Sequence, residues 1–329
     1  MIDDAEVLRT QTNPHFMQSE AWSGFKSHSQ WSVGSVPATQ AGIETATFRR
    51  DVPEFGELLH LPRVSGLTPS NVSKFTRAIR EQLGSAFAVK LETYQARDTE
   101  LVAALHAEGW VGARATQYRF GVTAELGPDS EQTFARLKKR ARTEVRQAAA
   151  RGVVCRRVED SALVRSQLIE MIHVMAERSG AFTRNDEYLH ASWDAFTNRG
   201  QGAFYVAEVE GEVVSGAFVI EFGRNAFYKD GGSHRVASTL PVGRALQWHI
   251  IEDLTARGFE QYDLGNVPNP AEESASMSGL LTFKSGFSQE ITEYMPAMEL
   301  PISSDADRWR AVEPEITAGF RTNTGGSFY

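Results

Sequence analysis

The sequence is poor in the features that mark secreted, membrane-spanning and metal-binding proteins. Cys155 is the single cysteine among 329 residues, so no intrachain disulfide can form, which fits a reducing compartment. No run of about 18 apolar residues is present, and the acidic start Met1–Asp4 lacks the apolar core of a signal peptide. The eight histidines show no ligand spacing, so we expect no metal. These absences predict a cytoplasmic protein without an integral membrane segment.

Positive charge is also in deficit. The chain has 34 lysines and arginines against 42 aspartates and glutamates, which gives a formal net charge of −8. This balance argues against a protein that is held to nucleic acid by bulk charge, so any RNA contact has to be local.

Apolar residues make up 41% and charged residues 23%, as in an ordinary globular protein, and the length suggests two domains or one large one.

One stretch reverses this deficit locally. Between Phe134 and Arg146, apolar side chains recur at helical spacing, which predicts a helix with one buried face. The other face is densely basic and carries Arg136, Lys138, Lys139, Arg140, Arg142 and Arg146. Such a face is either a solvated helix surface or a contact for the phosphate backbone of RNA, and the residues leave both interpretations open.

The most informative stretch lies near the C-terminal end. The run Tyr262–Gly265 (YDLG) is typical of a strand that stops at a glycine, and Gly279–Phe287 places Lys284 between Phe283 and Phe287. The two rings can anchor this segment in a core and aim the cation at a fixed place, where little reorganisation is needed as charge develops beside it. The simpler interpretation is a lysine at the end of a strand, with a buried stem and an ammonium that reaches solvent.

The remaining pattern predicts two similar halves. In each half, alternating strands are followed by a helix, another strand, a helix or loop and a closing strand. The corresponding segments are Trp31–Leu61 with Ala203–Lys229, Ser70–Leu83 with Pro241–Arg257, and Ala86–Leu91 with Phe259–Leu264. We expect a strand over about Gly112–Val122, and we expect Gly231–Ser233 to end the third strand of the second half. A groove between two such halves is the expected binding site.

Several of these motifs resemble the FemABX family, enzymes that transfer amino acids from aminoacyl-tRNA to the stem peptide of peptidoglycan. The runs YDLGN and GLLTFKSGF, preceded by YKDGGS, carry the resemblance, and further matches extend it along nearly the whole chain. It implies an α/β (α+β) fold with two GNAT-like acyltransferase domains in tandem, each a mixed sheet flanked by helices. We expect residues 1–145 to form the first domain, joined by a returning segment 296–329, and residues 146–295 to form the second. The chain is too short to hold the helical arm of longer members.

The resemblance also implies substrate-binding residues. It places a phosphate-binding lysine on Lys26, after a Gln-x-x-x-Trp pattern, and a phosphate-binding arginine on Arg184. It adds Tyr188, four residues after that arginine, and Tyr228. Two of these residues have simpler interpretations from the sequence alone. Lys26 would be a solvated lysine at a helix C-terminus, and Arg184 would pair with a neighbouring carboxylate.

The implied reaction is aminolysis of an aminoacyl ester. A neutral amine attacks the carbonyl at the tRNA 3′ end, and Lys284 is the catalytic candidate that stabilises the oxyanion. Asp230 is a possible proton acceptor, although we favour a role in capping the Gly231–Gly232 turn. No serine–histidine–acid arrangement is apparent, so a covalent acyl-enzyme is not expected. The family shares a lysine- and arginine-rich helix, so the expected tRNA contacts are Lys138, Lys139 and Arg142.

The expected partners are aminoacyl-tRNA and a peptidoglycan precursor, either UDP-MurNAc-pentapeptide or lipid II, with no cofactor. We expect a monomer, and peripheral contact with the inner face of the membrane stays open. One alternative is an aminoacyl-tRNA-dependent peptide ligase that uses a non-cell-wall acceptor. Another is a CoA-dependent GNAT N-acyltransferase, which Pro241 disfavours because it stands where the loop Ala237–Gly243 would have to donate amides to pyrophosphate. A non-catalytic relative is disfavoured by the joint presence of Lys26, Arg184, Tyr188 and Lys284.

Overall fold

The chain folds into two compact units, each built on its own mixed sheet. The computed structural model describes residues 2–180, 182–234, 240–272, 278–288, 290–324, 326 and 328–329. Unit 1 comprises Met1–Arg119 and Glu293–Tyr329, and unit 2 comprises Phe120–Thr292. Each sheet has helices packed on it, so the predicted α/β class with two mixed sheets is confirmed.

The elements are numbered in chain order. The helices are α1 (Asp4–Thr10), α2 (Glu20–Ser27), α3 (Ala38–Ala41), α4 (Val72–Glu81), α5 (Thr99–Ala107), α6 (Ser130–Arg136), α7 (Lys139–Ala150), α8 (Ala162–Ser179), α9 (Asp186–Thr197), α10 (Val242–Ala256), α11 (Ser278–Lys284) and α12 (Asp305–Thr324). The strands are β1 (Ser32–Val36), β2 (Thr45–Val52), β3 (Gly56–Val64), β4 (Ala86–Thr93), β5 (Val111–Gly112), β6 (Phe120–Glu125), β7 (Val154–Val158), β8 (Gly202–Val209), β9 (Glu212–Phe222), β10 (Asn225–Ser233), β11 (Gln261–Asn266), β12 (Thr292–Glu293) and β13 (Met298–Pro301). Among the described helices, none combines the length and apolar character needed to cross a bilayer.

Several helices begin where polar side chains satisfy their first amides. Asp98 accepts hydrogen bonds from the backbone N–H groups of α5, and Ser161 and Asn185 do the same for α8 and α9. These residues occupy the N-cap position, where a side-chain oxygen replaces the missing intrahelical acceptor. The starts of these helices therefore follow from local chemistry.

The sheet of unit 1 has the strand order β1-β2-β3-β4-β13-β5. Its parallel pair is β3 with β4, and this pairing continues to Val64 opposite Thr93 at the ends of both strands. The connection between them runs through α4, whose Phe75 and Ile79 are fully buried in the core. Strand β4 is buried along its whole length because it lies inside the sheet and has cover on both faces.

The sheet of unit 2 has the strand order β12-β6-β11-β10-β9-β8-β7. Its parallel pair is β10 with β11, connected through α10, so it repeats the arrangement of β3, α4 and β4. The buried face of α10 contributes Ile250 and Leu254 to a core that also contains Tyr205 and Val219 from the sheet. The two units therefore share one order of strands and crossover helix.

The strand that closes each predicted half pairs into the sheet of the other unit. Strand β6 pairs antiparallel with β11 of unit 2, with Ala124 opposite Tyr262. Strand β13 returns to unit 1 and pairs with β4, with Met298 opposite Leu91. The predicted single strand over Gly112–Val122 is therefore wrong, since β5 and β6 belong to different sheets and residues 113–119 connect them.

This exchange also sets where the two units divide. The expected domain boundaries are at residues 145/146 and 295/296, whereas the structure divides after Arg119 and after Thr292. The first division comes earlier because β6 pairs with β11, and because α6 and α7 both pack on α10. The basic stretch is therefore part of unit 2.

The basic stretch forms two helices instead of the predicted single one. α6 ends at Arg136, and Leu137 has an extended conformation with φ −64° and ψ 147°. The backbone N–H of Lys138 then donates to the carbonyl oxygen of Gly286 at 2.9 Å. Because this amide bonds outside the helix, the helical ladder is interrupted and α7 starts afresh at Lys139.

Candidate functional site

Lys284 is a buried lysine on the last turn of α11. Its side chain and backbone together are 6% exposed, and Phe287 behind it is 2% exposed in the core of unit 2. The interpretation of a lysine that reaches solvent from the end of a strand is therefore wrong on both counts. The phenylalanines hold the segment as expected, with ring centroids of Phe283 and Phe287 5.8 Å apart in an edge-to-face arrangement.

The ammonium of Lys284 is held by the end of β11. Nζ donates to the backbone carbonyl oxygen of Asn266 at 2.9 Å and lies 3.4 Å from its Oδ1. Burial lowers the pKa of Lys284 to about 8, although the negative charge of Asp263 acts in the opposite direction. Within the described ranges, Lys284 forms no ion pair with a carboxylate. A cation buried in this way keeps donor capacity for another group.

The two parallel strands of unit 2 part beside this ammonium. β10 and β11 are paired only from Asn225 opposite Gln261 to Phe227 opposite Asp263. Beyond that point, Tyr228 lies on one side, with its ring centroid 6.0 Å from Lys284 Nζ, and Asn266 lies on the other. The structure thus brings Tyr228 and Lys284 together where the strands diverge.

Gly265 shapes the β11 side of this opening. Its φ of 81° is in the left-handed region, which glycine adopts without the penalty that a side chain carries. Its amide donates to Oδ1 of Asp263 at 2.6 Å, at the place where the register of β11 with β6 shifts between Asp263 and Asn266. The carbonyl of the next residue, Asn266, accepts from the ammonium, and the left-handed φ of Gly265 explains why the strand motif has a glycine there.

Tyr228 and Asp230 flank a bulge in β10. The register with β9 shifts between these two residues, and the Tyr228 ring lies so close to Gly231 that a Cβ at that position would overlap it. Desolvation raises the pKa of Tyr228 to about 12, with the charge of Asp230 acting in the same direction, so the hydroxyl stays a neutral donor. The indole of Trp193 donates to Asp230 at 3.0 Å.

The expected end of the third strand at Gly231–Ser233 is wrong, because β10 continues to Ser233 in register with β9. Asp230 therefore caps no turn there. It lies inside the strand, where it pairs with Lys229 at 3.1 Å and accepts from Trp193. This leaves a carboxylate that is mostly buried two residues from Tyr228.

Arg184 and Tyr188 form a second group at the start of α9. The Arg184 guanidinium carbon lies 5.2 Å from the ring centroid of Phe182 and 5.0 Å from that of Tyr188. Asn185 caps the helix between them. The ion pair of Arg184 with a neighbouring carboxylate is not found in the part of the chain that the structure describes, and Asp186 pairs with His173 instead. The guanidinium is within cation–π distance of both rings, and its N–H groups can donate to an acceptor.

Lys26 lies in unit 1, on the last turn of α2. It is 6% exposed, and its Nζ lies 5.6 Å from the ring of Trp22 and 5.7 Å from the ring of Trp31. The interpretation as a solvated helix-end lysine is wrong, because two indoles enclose the ammonium. Lys26 belongs to unit 1, while the other expected substrate-binding residues belong to unit 2.

The expected RNA contacts differ in their exposure. Lys138 and Lys139 are exposed at the start of α7, a helix end without a side-chain cap or an acidic residue in its first turn. Arg142 is half-buried and donates to the carbonyl oxygen of Ala135 at 2.7 Å. The basic face therefore presents two unrestrained cations, and Arg142 reinforces the junction between α6 and α7.

Two residues of the site gave no usable signal in the sequence. Asn266 acts through its backbone carbonyl, a group that every residue type has. Arg244 lies on α10 and donates to the carbonyl oxygens of Thr282 and Phe283, which are 38 and 39 residues away in sequence. Such distant pairings leave no local pattern, so sequence reasoning could not identify them.

Comparison with known proteins gives a consistent result. Residues 135–273, all within unit 2, match the family described as Acetyltransferase (GNAT) domain. The chain is 25% identical over 257 residues to a UDP-N-acetylmuramoylpentapeptide-lysine N(6)-alanyltransferase of Weissella viridescens, covering 73% of this chain and 70% of that protein. A crystal structure of FemX matches with a TM-score of 0.82 at 16% identity, covering 95% of this chain and 99% of that one.

These matches agree with the FemABX family that the sequence motifs resemble. The FemABX resemblance of the sequence motifs and the tandem GNAT-like fold are thereby confirmed, and the protein is an acyl-transferring enzyme. The fold extends to more distant proteins as well. The structure of L-PGS from Bacillus licheniformis matches with a TM-score of 0.55 at 12% identity, covering 91% of this chain and 96% of that one.

Proposed function

We propose that this FemABX enzyme transfers an amino acid from aminoacyl-tRNA to an amine of the stem peptide of a peptidoglycan precursor, as in interpeptide bridge formation. The amine nitrogen attacks the ester carbonyl, an amide bond forms, and the ester bond to the tRNA 3′ oxygen breaks as that oxygen takes up a proton. The Weissella viridescens relative is named for alanyl transfer to the lysine of UDP-N-acetylmuramoylpentapeptide. We place the reaction in the cytoplasm and expect the enzyme to act as a monomer.

The observation that carries this proposal is the ammonium of Lys284 at the place where β10 and β11 part. An ester carbonyl that enters between Tyr228 and Asn266 would meet a preorganised cation whose position is already set by the carbonyl of Asn266. The tetrahedral oxyanion gains from such a donor because little of the surrounding structure has to move. A single donor of this kind contributes roughly 10²–10³-fold to kcat in other acyl-transfer enzymes.

Unit 2 is the proposed site of the acyl chemistry, because the parallel pair of unit 1 has no comparable opening among its described residues. β3 and β4 stay paired to Val64 and Thr93, at the ends of both strands. In unit 2 the pairing stops at Phe227 and Asp263, with six further residues of β10 beyond it. The duplicated arrangement is therefore open in one copy and closed in the other.

Arg184 supports the assignment of a phosphorylated acceptor. Its guanidinium lies near the rings of Phe182 and Tyr188, which limits its conformational freedom before binding, and its N–H groups can bind two phosphate oxygens. Lys26, which is enclosed by Trp22 and Trp31, is the second proposed phosphate contact. Tyr188 and Tyr228 are the proposed aromatic groups that line the acceptor.

The exposed start of α7 supports an RNA donor. Lys138 and Lys139 stand at a helix N-terminus with positive dipole character, an unfavourable place for cations until an anion binds. Phosphates of an RNA backbone would offset both charges. Since the chain as a whole is acidic, with a formal net charge of −8, this face is the proposed local contact.

A donor test separates this proposal from CoA-dependent acyl transfer. Residues 237–239 of the loop that a CoA enzyme would use for pyrophosphate lie outside the described residues. Purified protein is incubated with a mixture of charged tRNAs and with UDP-MurNAc-pentapeptide or lipid II, and products are identified by mass spectrometry. We expect a mass increase of one or more amino acids on the precursor, which ribonuclease treatment abolishes. Full transfer from an acyl-CoA without RNA would overturn the proposal.

An acceptor test separates it from peptide ligases with other acceptors. The same reaction is run with the phosphorylated precursor, with the phosphate-free stem peptide and with an unrelated peptide that carries a free amine. We expect the order of kcat/KM to follow that sequence. Equal use of the unrelated peptide would assign the enzyme to the aminoacyl-tRNA-dependent ligases with a non-cell-wall acceptor.

A further inference from the structure

Arg244 is a buried arginine whose guanidinium contacts residues both before and after Lys284 in the sequence. It stands in the first turn of α10 and is 6% exposed. Its guanidinium donates to the carbonyl oxygens of Phe283 and, at 2.9 Å, of Thr282. Its Nε donates to Glu144 of α7 at 2.8 Å. One side chain therefore connects the α11 segment with the basic helix.

The contacts to α11 are important because that helix is short. Seven residues are too few for a stable isolated helix, and the last carbonyls of any helix lack partners within it. Arg244 supplies donors to two of these carbonyls, and its guanidinium carbon lies 4.9 Å and 5.1 Å from the rings of Phe283 and Phe287. The backbone turn that follows is matched to it, since a Cβ at Gly286 would overlap the guanidinium.

The contact to α7 is an ion pair that is shared by two arginines. Glu144 accepts from Arg244 through one carboxylate oxygen and from Arg140 through the other, each at 2.8 Å. A second connection lies nearby, where the amide of Lys138 donates to the carbonyl oxygen of Gly286. The turn that contains Lys284 is thus attached to α7 at two places. Arg244 connects Thr282 and Phe283 to Glu144, and the amide of Lys138 bonds to Gly286.

We infer that Arg244 is a positioning residue for Lys284, which holds the C-terminal turn of α11 against α7 so that the ammonium and the RNA-binding face keep a fixed separation. This inference rests on the proposed function, because it assigns α7 to the donor RNA and Lys284 to the reacting ester. Arg244 itself touches neither the RNA nor the ester. Its effect on turnover passes through the position of Lys284.

A double-mutant cycle tests this dependence. Arg244→Met is made in the wild-type background and in Lys284→Met, and kcat is measured with saturating aminoacyl-tRNA and acceptor. A displacement of about 1 Å at a catalytic group can lower turnover by on the order of 10²-fold, so we expect a loss of roughly 10- to 100-fold in the wild-type background. In the Lys284→Met background we expect less than about a twofold loss, because the coupled partner is already gone. Equal losses in both backgrounds would overturn the inference.

Arg257→Met, at the C-cap residue of the same helix, is the matched control. Arg257 forms ion pairs with Glu221 and Asp253 at the other end of α10, so its removal also breaks salt bridges of unit 2. We expect it to leave kcat within about twofold of the wild type, as for a site with no shared partners. Thermal unfolding of both variants reports any general loss of stability. If Arg257→Met lowers kcat as much as Arg244→Met, a merely structural role is indicated.

A second readout needs no substrate. The ionisation of Lys284 is followed by NMR of its ¹⁵N-labelled ammonium, assigned by loss of the signal in Lys284→Arg. Burial against Asn266 holds this pKa at about 8, so release of the turn in Arg244→Met should raise it towards the ordinary lysine value. An unchanged pKa in the folded variant would contradict the inference. If wild-type protein shows no transfer from aminoacyl-tRNA, the proposed function fails, and this titration still decides the role of Arg244.

Two milder changes cover the case in which Arg244→Met does not fold. Arg244→Lys keeps the charge but can reach only part of the acceptors that the planar guanidinium reaches, so an intermediate loss of kcat is expected. Glu144→Gln keeps an acceptor for Arg244 while removing the carboxylate charge, and should reduce kcat without changing the Kd for tRNA by more than about twofold. A fall in tRNA affinity that matches the fall in kcat would place Arg244 with the RNA contact and overturn its assignment to Lys284.

Discussion

Nζ of Lys284 donates to the backbone carbonyl oxygen of Asn266 at 2.9 Å, and this bond fixes a cation at the mouth of the opening between β10 and β11. The acceptor is a main-chain group, so its position depends on the conformation of Gly265 and not on a flexible side chain. A cation held by a neutral carbonyl keeps its full charge for a developing oxyanion. The catalytic proposal can therefore be tested at this one residue.

Lys284→Met should lower kcat by roughly 10²–10³-fold, because it removes the donor that stabilises the oxyanion. Methionine fills much of the same volume, so the fold should persist. The buried ammonium has a pKa below that of the unfolded chain, so at neutral pH it opposes folding, and the melting temperature should not fall. Turnover and thermal unfolding are measured on the same preparation. Lys74→Met, an exposed lysine on α4, is the control and should change neither. Near-normal kcat in a folded Lys284→Met protein would remove Lys284 from the mechanism.

The ratio of wild-type turnover to that of Lys284→Arg should fall as pH rises through about 8. The reaction needs the charged ammonium of Lys284, and burial lowers its pKa to about 8, so each pH unit above that value should lower the ratio by up to about tenfold. Deprotonation of the acceptor amine raises both rates over the same range and cancels in the ratio, so a falling ratio points to Lys284. Single-turnover rates avoid interference from hydrolysis of the aminoacyl ester. Lys284→Arg is the reference because a guanidinium stays charged over this range. A ratio that does not change with pH would show that Lys284 is not the titrating group.

Removing the charges of Lys138 and Lys139 should weaken tRNA binding and flatten its salt dependence. Both side chains are exposed at the start of α7, and the slope of log K against log salt should fall by about one unit for each phosphate that is no longer neutralised. The double variant Lys138→Ala/Lys139→Ala is compared with Lys74→Ala/Arg77→Ala, which removes two exposed cations from α4. If both double variants change the slope equally, bulk charge and not the basic face determines binding.

Arg184→Ala should raise the acceptor KM and leave the Kd for tRNA unchanged. A charge-assisted hydrogen bond to phosphate contributes about 1.5–3 kcal/mol, so the expected increase is roughly 10- to 100-fold. Arg184→Lys keeps the charge but not the planar guanidinium that lies near Phe182 and Tyr188, and should recover only part of the loss. With the phosphate-free stem peptide as acceptor, wild type and Arg184→Ala should have similar KM values. An effect of the same size on both acceptors would separate Arg184 from the phosphates.

Much of the local structure followed from local sequence. Helices such as α5 and α8 start directly after a residue, Asp98 or Ser161, whose side chain accepts from their first amides. Alternating strands joined by a glycine turn, such as β8 and β9, also lie where the pattern places them. In these elements the hydrogen-bond partners are close in sequence, so the pattern contains most of the information.

The features that the sequence did not predict depend on distant partners. The break between α6 and α7 at Leu137 exists because the amide of Lys138 bonds to Gly286. The pairing of β6 with β11 joins two strands that are separated in sequence by most of unit 2. The burial of Lys284 needed the conformation of Gly265, although the motif already pointed to this lysine. Motif order identified the residue, and only the folded chain shows why its ammonium is held there.

The return of β13 to the first sheet has a consequence for the way the protein is made. Strand β4, buried along its length, lacks its neighbour until residues 298–301 have left the ribosome. Unit 2 is one continuous segment and can complete its own sheet first, so the usual order of N-terminal before C-terminal folding is reversed. During synthesis, the nascent first sheet carries an unpaired, apolar edge for most of the translation time, and an edge of this kind is a template for pairing with other chains.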